Sequence, residues 1–147
     1  MEMSDWINLG IAAITLLGVI TAVIALYVQI RKLNQQLMLQ HFADYTKRYQ
    51  EIILEFPENI NQDDFHIEGD KSRDHTMRYM RAYFDLCFEE WYLNGRNLID
   101  KEIWNVWIDG MRAALSKPAF QQAWVIIKND SSFGEEFHSY ITSLSSK

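Results

Sequence analysis

The sequence has few cysteines, few prolines and few positive charges, and each shortage excludes a structural or functional feature. Cys87 is the only cysteine, so an intrachain disulfide cannot form, which fits a reducing compartment. The formal net charge of −6 argues against broad nucleic-acid binding, because such binding needs a basic face. Neither proline nor glycine occurs between Arg31 and Phe56, which leaves that stretch free to form one uninterrupted helix.

Charge is also missing from the longest apolar stretch, which runs from Leu9 to Ile30. As a helix, this stretch would measure about 33 Å, the thickness of the hydrocarbon core of a bilayer. A cleavable signal peptide is the main alternative. It is disfavoured because Glu2 and Asp5 make the preceding residues acidic instead of positive, and because the apolar stretch is too long. The sequence therefore predicts a transmembrane helix over residues 9–30.

The positive charges around this segment predict its orientation. No lysine or arginine precedes it, whereas Arg31 and Lys32 follow it directly and Lys47 and Arg48 come later. Cytoplasmic flanks of membrane helices carry an excess of these residues. Residues 1–8 are therefore expected to be a short extracytoplasmic N-terminus, and the chain beyond the span is expected to be cytoplasmic.

The apolar residues after the span recur at three- and four-residue steps, which is typical of amphipathic helices. A juxtamembrane helix is expected over residues 31–56, ended by Pro57, followed by an acidic loop over residues 57–71. Residues 72–147 are expected to form a helical bundle. The predicted fold is all-α, with one N-terminal transmembrane helix continuing into a cytoplasmic bundle of four or five helices.

Local signals mark four shorter helices in the bundle. An Asn-Gly pair ends the first, Asp100 caps the second, Pro118 begins the third, and Ser132 with Glu135 forms a capping box for the fourth. The four helices are expected at about residues 73–93, 101–115, 118–128 and 133–144.

The bundle also carries a series of aromatic and helix-boundary residues between about Tyr79 and Ile141. The series comprises Tyr83-Phe84-Asp85-Leu86, Glu89-Glu90, Leu98-Ile99-Asp100, Trp104, Trp107, Met111, Lys117-Pro118-Ala119-Phe120, Trp124, Phe137 and Ile141. This stretch resembles the C-terminal half of a family of small bacterial membrane proteins that is catalogued as a domain of unknown function. Members of that family also carry an N-terminal membrane helix. The resemblance implies this architecture and a bacterial origin, but no activity and no site residues. The span is accordingly expected in the inner (cell) membrane of a bacterium.

One face of the predicted span is built from small and polar residues, and the opposite face from bulky apolar ones. The first face consists of Asn8, Ile11, Thr15, Gly18, Ala22, Ala25 and Gln29. Membrane helices with two such faces typically pack against protein on the small, polar face and against lipid on the bulky face. The pattern therefore predicts a homo-oligomer through this helix. Chance is the alternative, since small residues are tolerated anywhere in a span. In a sharper version, Asn8, Thr15 and Gln29 would line a water-filled pore, although no charged ring is present to set ion selectivity.

Carboxylates cluster in the first helix of the bundle, where Asp85, Glu89 and Glu90 lie within two turns. Paired carboxylates can bind a metal or share a proton. The sequence lacks the Glu-x-x-His pairs of a bundle metal site, so a salt-bridged helix face is favoured. Nearby arginines are available to neutralise the acids: Arg78, Arg81 and Arg96.

Two further features have ordinary explanations. The acidic loop of residues 57–71 does not have the ligand spacing of a calcium-binding loop and is expected to be a solvated linker. Cys87 lies on the apolar stripe of its helix and is expected to be a buried, inert thiol.

No catalytic constellation, cofactor motif or metal-ligand motif is recognisable, so no catalytic, cofactor-binding or metal-binding residue is predicted. The expected function is a non-enzymatic scaffold or interaction module, anchored in membrane lipid, that self-associates or recruits a protein partner. The alternative is a small homo-oligomeric channel whose transmembrane helices line the pore.

Overall fold

The computed structural model describes residues 2–145, and over that range it contains helices and the turns between them, with no β-strand. The five α-helices are α1 (Met3–Ile53), α2 (Arg73–Gly95), α3 (Lys101–Leu115), α4 (Pro118–Asp130) and α5 (Glu135–Ser145). A single turn of 3-10 helix, Ile67–Gly69, lies between α1 and α2. The predicted all-α class is confirmed, with a long apolar N-terminal helix followed by shorter helices.

The chain divides into two compact units, residues 1–41 and residues 42–147. The first unit consists of the N-terminal part of α1, and its described residues are all exposed. The most apolar 18-residue window of α1 has a mean hydropathy of 2.6, and none of that window is buried. Among the described helices, α1 is the one that is long and apolar enough to cross a membrane.

The second unit packs the last turns of α1 and helices α2 to α5 around one apolar core. α2 packs against α4 and the 3-10 turn, and α3 packs against α4 and α5. Each helix turns a face with three- and four-residue spacing toward the centre, as the amphipathic pattern predicts. The largest fully buried apolar side chains are Phe84, Phe120, Phe137, Ile67, Met80, Leu86, Leu115, Ile127 and Ile141.

Two helix ends differ from the sequence-based expectation. α1 ends at Ile53 and not at residue 56, because its last turn tightens: the amide of Phe56 donates to the carbonyl of Ile53 over 3.2 Å, three residues back. α2 was expected to end at about residue 93 with Asn94-Gly95 as its terminus, but it runs to Gly95, and the left-handed residue is Asn97, with φ of 57°. The amide of Leu98 then donates to the carbonyl of Leu93 over 3.0 Å and closes that turn.

One predicted cap forms and one does not. The Asp100 carboxylate accepts the amide of Glu102 over 2.8 Å and that of Ile103 over 3.4 Å, so the predicted N-cap of α3 is confirmed. The prediction of a capping box at the start of the last helix is wrong. Gly134 takes a left-handed φ of 84° and α5 starts after it, so Ser132 lies too far upstream to cap the first turn.

The acidic segment between α1 and α2 is a loop, but the expectation of a solvated linker is wrong for its apolar residues. Ile60, Phe65 and Ile67 are buried in the core of the bundle. The amide of Ile67 also donates to the Gln122 side-chain oxygen over 3.1 Å. Four of its five acidic side chains are exposed, and Asp70 is half-buried, where it accepts the Thr76 hydroxyl over 2.8 Å. The density of acids along the sequence concealed the three apolar residues that fix the loop to the bundle.

Candidate functional sites

The residues of the predicted helix interface lie along one side of α1, and all seven are exposed: Asn8, Ile11, Thr15, Gly18, Ala22, Ala25 and Gln29. The Thr15 hydroxyl donates to the Ile11 carbonyl over 2.8 Å, so this polar group is satisfied within its own helix. A Cβ placed on Gly18 would contact nothing within 4 Å, so Gly18 borders open space in a single chain. Its missing side chain would permit close approach of a second helix. A single chain does not test whether copies meet on this face, so the interface and the pore stay predictions.

A second candidate site, which the sequence did not indicate, is a cavity of about 290 Å³ inside the second unit. Three helices form its walls, and each contributes side chains with the spacing of one helix face. α1 provides Phe42, Tyr45, Thr46 and Tyr49. α2 provides Tyr83, Leu86, Cys87 and Glu90, and α3 provides Val106, Trp107, Gly110 and Met111.

Aromatic rings dominate these walls. The Trp107 ring centroid lies 5.1 Å from that of Tyr45 and 6.4 Å from that of Phe42, whose plane is tilted by only 7° from the indole. On another side, the Tyr49 and Tyr83 rings are 6.5 Å apart. Distances of this order are normal for packed aromatic pairs. The cavity is therefore a ring-lined space. It is partly open to solvent, because four of its lining residues are exposed: Phe42, Tyr49, Val106 and Gly110.

Glu90 is the one acidic residue that lines the cavity, and it is 6% exposed. Within residues 2–145, its carboxyl group has neither a hydrogen bond nor an ion pair. Burial raises the pKa of Glu90 to about 8; Arg48 opposes this shift and Glu89 adds to it. A carboxyl group that titrates near neutral pH in a largely apolar cavity is typical of a functional site, although buried structural groups can share this property.

The neighbouring Glu89 has the opposite environment. Both guanidinium nitrogens at the tip of Arg48 donate to its carboxylate, over 2.6 and 3.0 Å. This hydrogen bonding lowers the pKa of Glu89. From the sequence, the acids of α2 were expected to pair with Arg78, Arg81 and Arg96. For Glu89 this prediction is wrong. Arg81 pairs instead with Asp130, over 2.6 Å. The correct partner comes from α1, whose packing against α2 is not visible in local spacing.

The expectation for Cys87 is confirmed, because the thiol is buried and free. Burial raises its pKa well above the ordinary value, and the adjacent Glu90 raises it further. Since the thiolate is the reactive form, Cys87 is a poor nucleophile in this fold. It contributes an apolar surface to the cavity wall.

The part of the chain that the structure describes contains no group of three or more His, Cys, Asp or Glu side chains placed to hold a metal ion. Comparisons with protein-family models, with curated proteins and with solved structures find no match to this chain. The resemblance seen in the sequence therefore gains no support from them, and the candidate sites depend on their own geometry.

Proposed function

We propose that this protein is a non-enzymatic, membrane-anchored scaffold or interaction module at the cytoplasmic face of a bacterial inner membrane. The observation that carries the proposal is the apolar window of α1, with a mean hydropathy of 2.6 and no buried residue. Exposure of so much contiguous apolar surface to water is unfavourable, and a soluble protein rarely presents it. A bilayer removes the penalty, because its hydrocarbon core is about as thick as this segment is long.

Charge supports the orientation of this anchor. Glu2 and Asp5 precede the apolar segment, while Arg31 and Lys32 follow it. Under the positive-inside rule, the second unit lies in the cytoplasm and the N-terminus outside. A compact domain held at a membrane surface in this way is suited to collecting a partner there.

Two features of α1 support self-association. The small residues around Gly18 and Ala22 permit close contact between helices in lipid, where packing replaces the hydrophobic effect as the attractive force. Beyond the apolar segment, Leu33 and Leu37 are 52% and 44% exposed on the side that the amphipathic pattern predicts to be covered. A second copy of α1 would cover both the small-residue face and these leucines.

The test is crosslinking of the full-length protein in lipid vesicles. Replacing both Gly18 and Ala22 with leucine is expected to reduce the crosslinked oligomer several-fold, because the added bulk separates the backbones. The matched control replaces Ile20 and Val23 with leucine on the opposite face and is expected to leave the oligomer unchanged.

Equal effects of the two double variants would contradict the proposed interface. A wild-type protein that stays monomeric at a high protein-to-lipid ratio would remove self-association, and the channel hypothesis with it, since a pore requires the same oligomer. The scaffold would then depend on recruitment of a different protein.

A further inference from the structure

The cavity in the second unit contains a carboxyl group that packing alone does not explain. Glu90 is 6% exposed and lines the cavity, yet no group within residues 2–145 hydrogen-bonds or ion-pairs with its carboxyl oxygens. In the described part of the chain, the enclosed side-chain atoms without a partner are Trp124 Nε1, His138 Nε2 and Tyr140 OH, and the Glu90 oxygens are not among them. The Glu90 carboxyl therefore borders the accessible space of the cavity, where an occupant can reach it. A ligand that brings a hydrogen-bond donor or a positive charge into the cavity would satisfy it.

Among the described residues, Arg48 is the cation whose charge reaches Glu90, but it forms no ion pair with it. Its guanidinium group is paired with Glu89 instead. The titratable and charged groups around Glu90 are Tyr45, Arg48 and Tyr49 from α1, Tyr83, Cys87 and Glu89 from α2, and Tyr140 from α5. α3 lines the cavity with uncharged residues alone. The walls therefore hold an acid and no base.

The rest of the cavity suits a cation with an apolar body. The faces of aromatic rings attract ammonium groups through their quadrupoles, and indole is the strongest of them. Trp107, Tyr45 and Phe42 form a connected group of rings on one side of the space. A carboxylate beside such a group provides both parts of a site that binds organic ammonium ions.

We propose that this cavity binds a small organic ammonium ion, with its charged group beside Glu90 and its apolar body against Trp107. The volume of about 290 Å³ lies at the lower end for ligand pockets and restricts the ligand to a small molecule. A small ammonium ion without a phosphate fits better than the headgroup of a phospholipid, because ionised Glu90 would repel the phosphate and the cavity wall holds no cation to pair with it. This site goes beyond the proposed scaffold function and concerns the second unit alone.

The test is calorimetric titration of the full-length protein, in nonionic detergent, with benzyltrimethylammonium, whose charge does not change with pH. At pH 9, the wild type is expected to bind with a Kd of about 0.1–1 mM. Glu90→Gln keeps the shape and removes the charge, and it should weaken binding at least about tenfold. In the wild type, affinity should fall by a similar factor from pH 9 to pH 6, because a bound cation favours the ionised carboxylate. Glu90→Gln should show no such fall.

The matched control is Glu102→Gln, which removes an exposed carboxylate from α3 and should bind like the wild type. Thermal unfolding of each variant establishes that it is folded. Equal affinity of the wild type and Glu90→Gln would overturn the proposal, as would the absence of wild-type binding at pH 9. Tighter binding of phosphocholine than of benzyltrimethylammonium would overturn the assignment to an ammonium ion without a phosphate and favour the headgroup of a phospholipid instead.

Discussion

Two adjacent residues of α2 show how strongly position decides the chemistry of a side chain. Glu89 and Glu90 are the same residue type, but the side chains of α1 give them different surroundings. Glu89 faces Arg48 and its pKa is lowered, whereas Glu90 faces a ring-lined cavity and its pKa is raised to about 8. Near neutral pH, Glu89 is therefore charged and Glu90 is largely protonated.

The raised pKa of Glu90 predicts a specific dependence of stability on pH. In the unfolded chain this carboxyl titrates near 4.5, so between that value and about 8 the folded state holds a proton that the unfolded state has lost. The contribution of Glu90 to stability is complete below the unfolded pKa and is lost as pH rises through the folded pKa. Its loss between pH 5 and pH 8 amounts to about 3 kcal/mol.

Glu90→Gln, which does not titrate, should therefore gain stability relative to the wild type by about 3 kcal/mol over the same pH range. Denaturant unfolding of both proteins at pH 5 and pH 8 measures this difference. Subtracting the wild-type free energies of unfolding from those of Glu90→Gln removes the contributions of the titrating groups that the two proteins share. Glu102→Gln is again the control. Parallel pH profiles of the wild type and Glu90→Gln would show that Glu90 is already ionised at pH 5.

At the scale of the helix, the start of α3 depends on one side chain. The Asp100 carboxylate accepts two backbone amides that have no partner within the helix. Asp100→Ala should lower the free energy of unfolding by about 1 kcal/mol. Asp100→Asn retains a good capping oxygen and should stay close to the wild type. Chemical denaturation measures both, and equal losses would mean that charge near the helix N-terminus matters more than the cap.

Helices were predictable from the sequence to the extent that their signals are local. Apolar spacing predicted all five, and the cap at Asp100 was correct. The misplaced capping box before α5 shows the limit of such signals. Ser132 and Glu135 have the correct spacing, but the left-handed conformation of Gly134 sets the helix start. Local patterns therefore identify which segments are helical more reliably than where each helix begins.

The cavity was not predictable, because it depends on contacts between residues distant in the sequence. Tyr45, Glu90 and Trp107 come from three helices, and the sequence does not show which of their faces meet. From the sequence, Glu90 was expected on a salt-bridged helix face. Only the packing shows that Arg48 pairs with Glu89 and that Glu90 has no such partner within residues 2–145.

At the scale of the whole molecule, the two units have different surfaces and need different surroundings. Residues 3–41 form an exposed helical segment whose apolar window suits lipid. Residues 42–145 bury an apolar core and keep most of their charged side chains in contact with water. A membrane that holds the first unit and leaves the second in an aqueous compartment satisfies both.

Protease accessibility in membranes of known orientation tests this arrangement most directly. With the positive flank of α1 inside, protease added to right-side-out bacterial vesicles should leave the second unit intact. The same protease added to inverted vesicles should digest it and leave a small membrane-embedded fragment that contains residues 9–30. Digestion from the outside, or recovery of the intact protein in the soluble fraction after membranes are sedimented, would contradict the anchored, cytoplasmic arrangement.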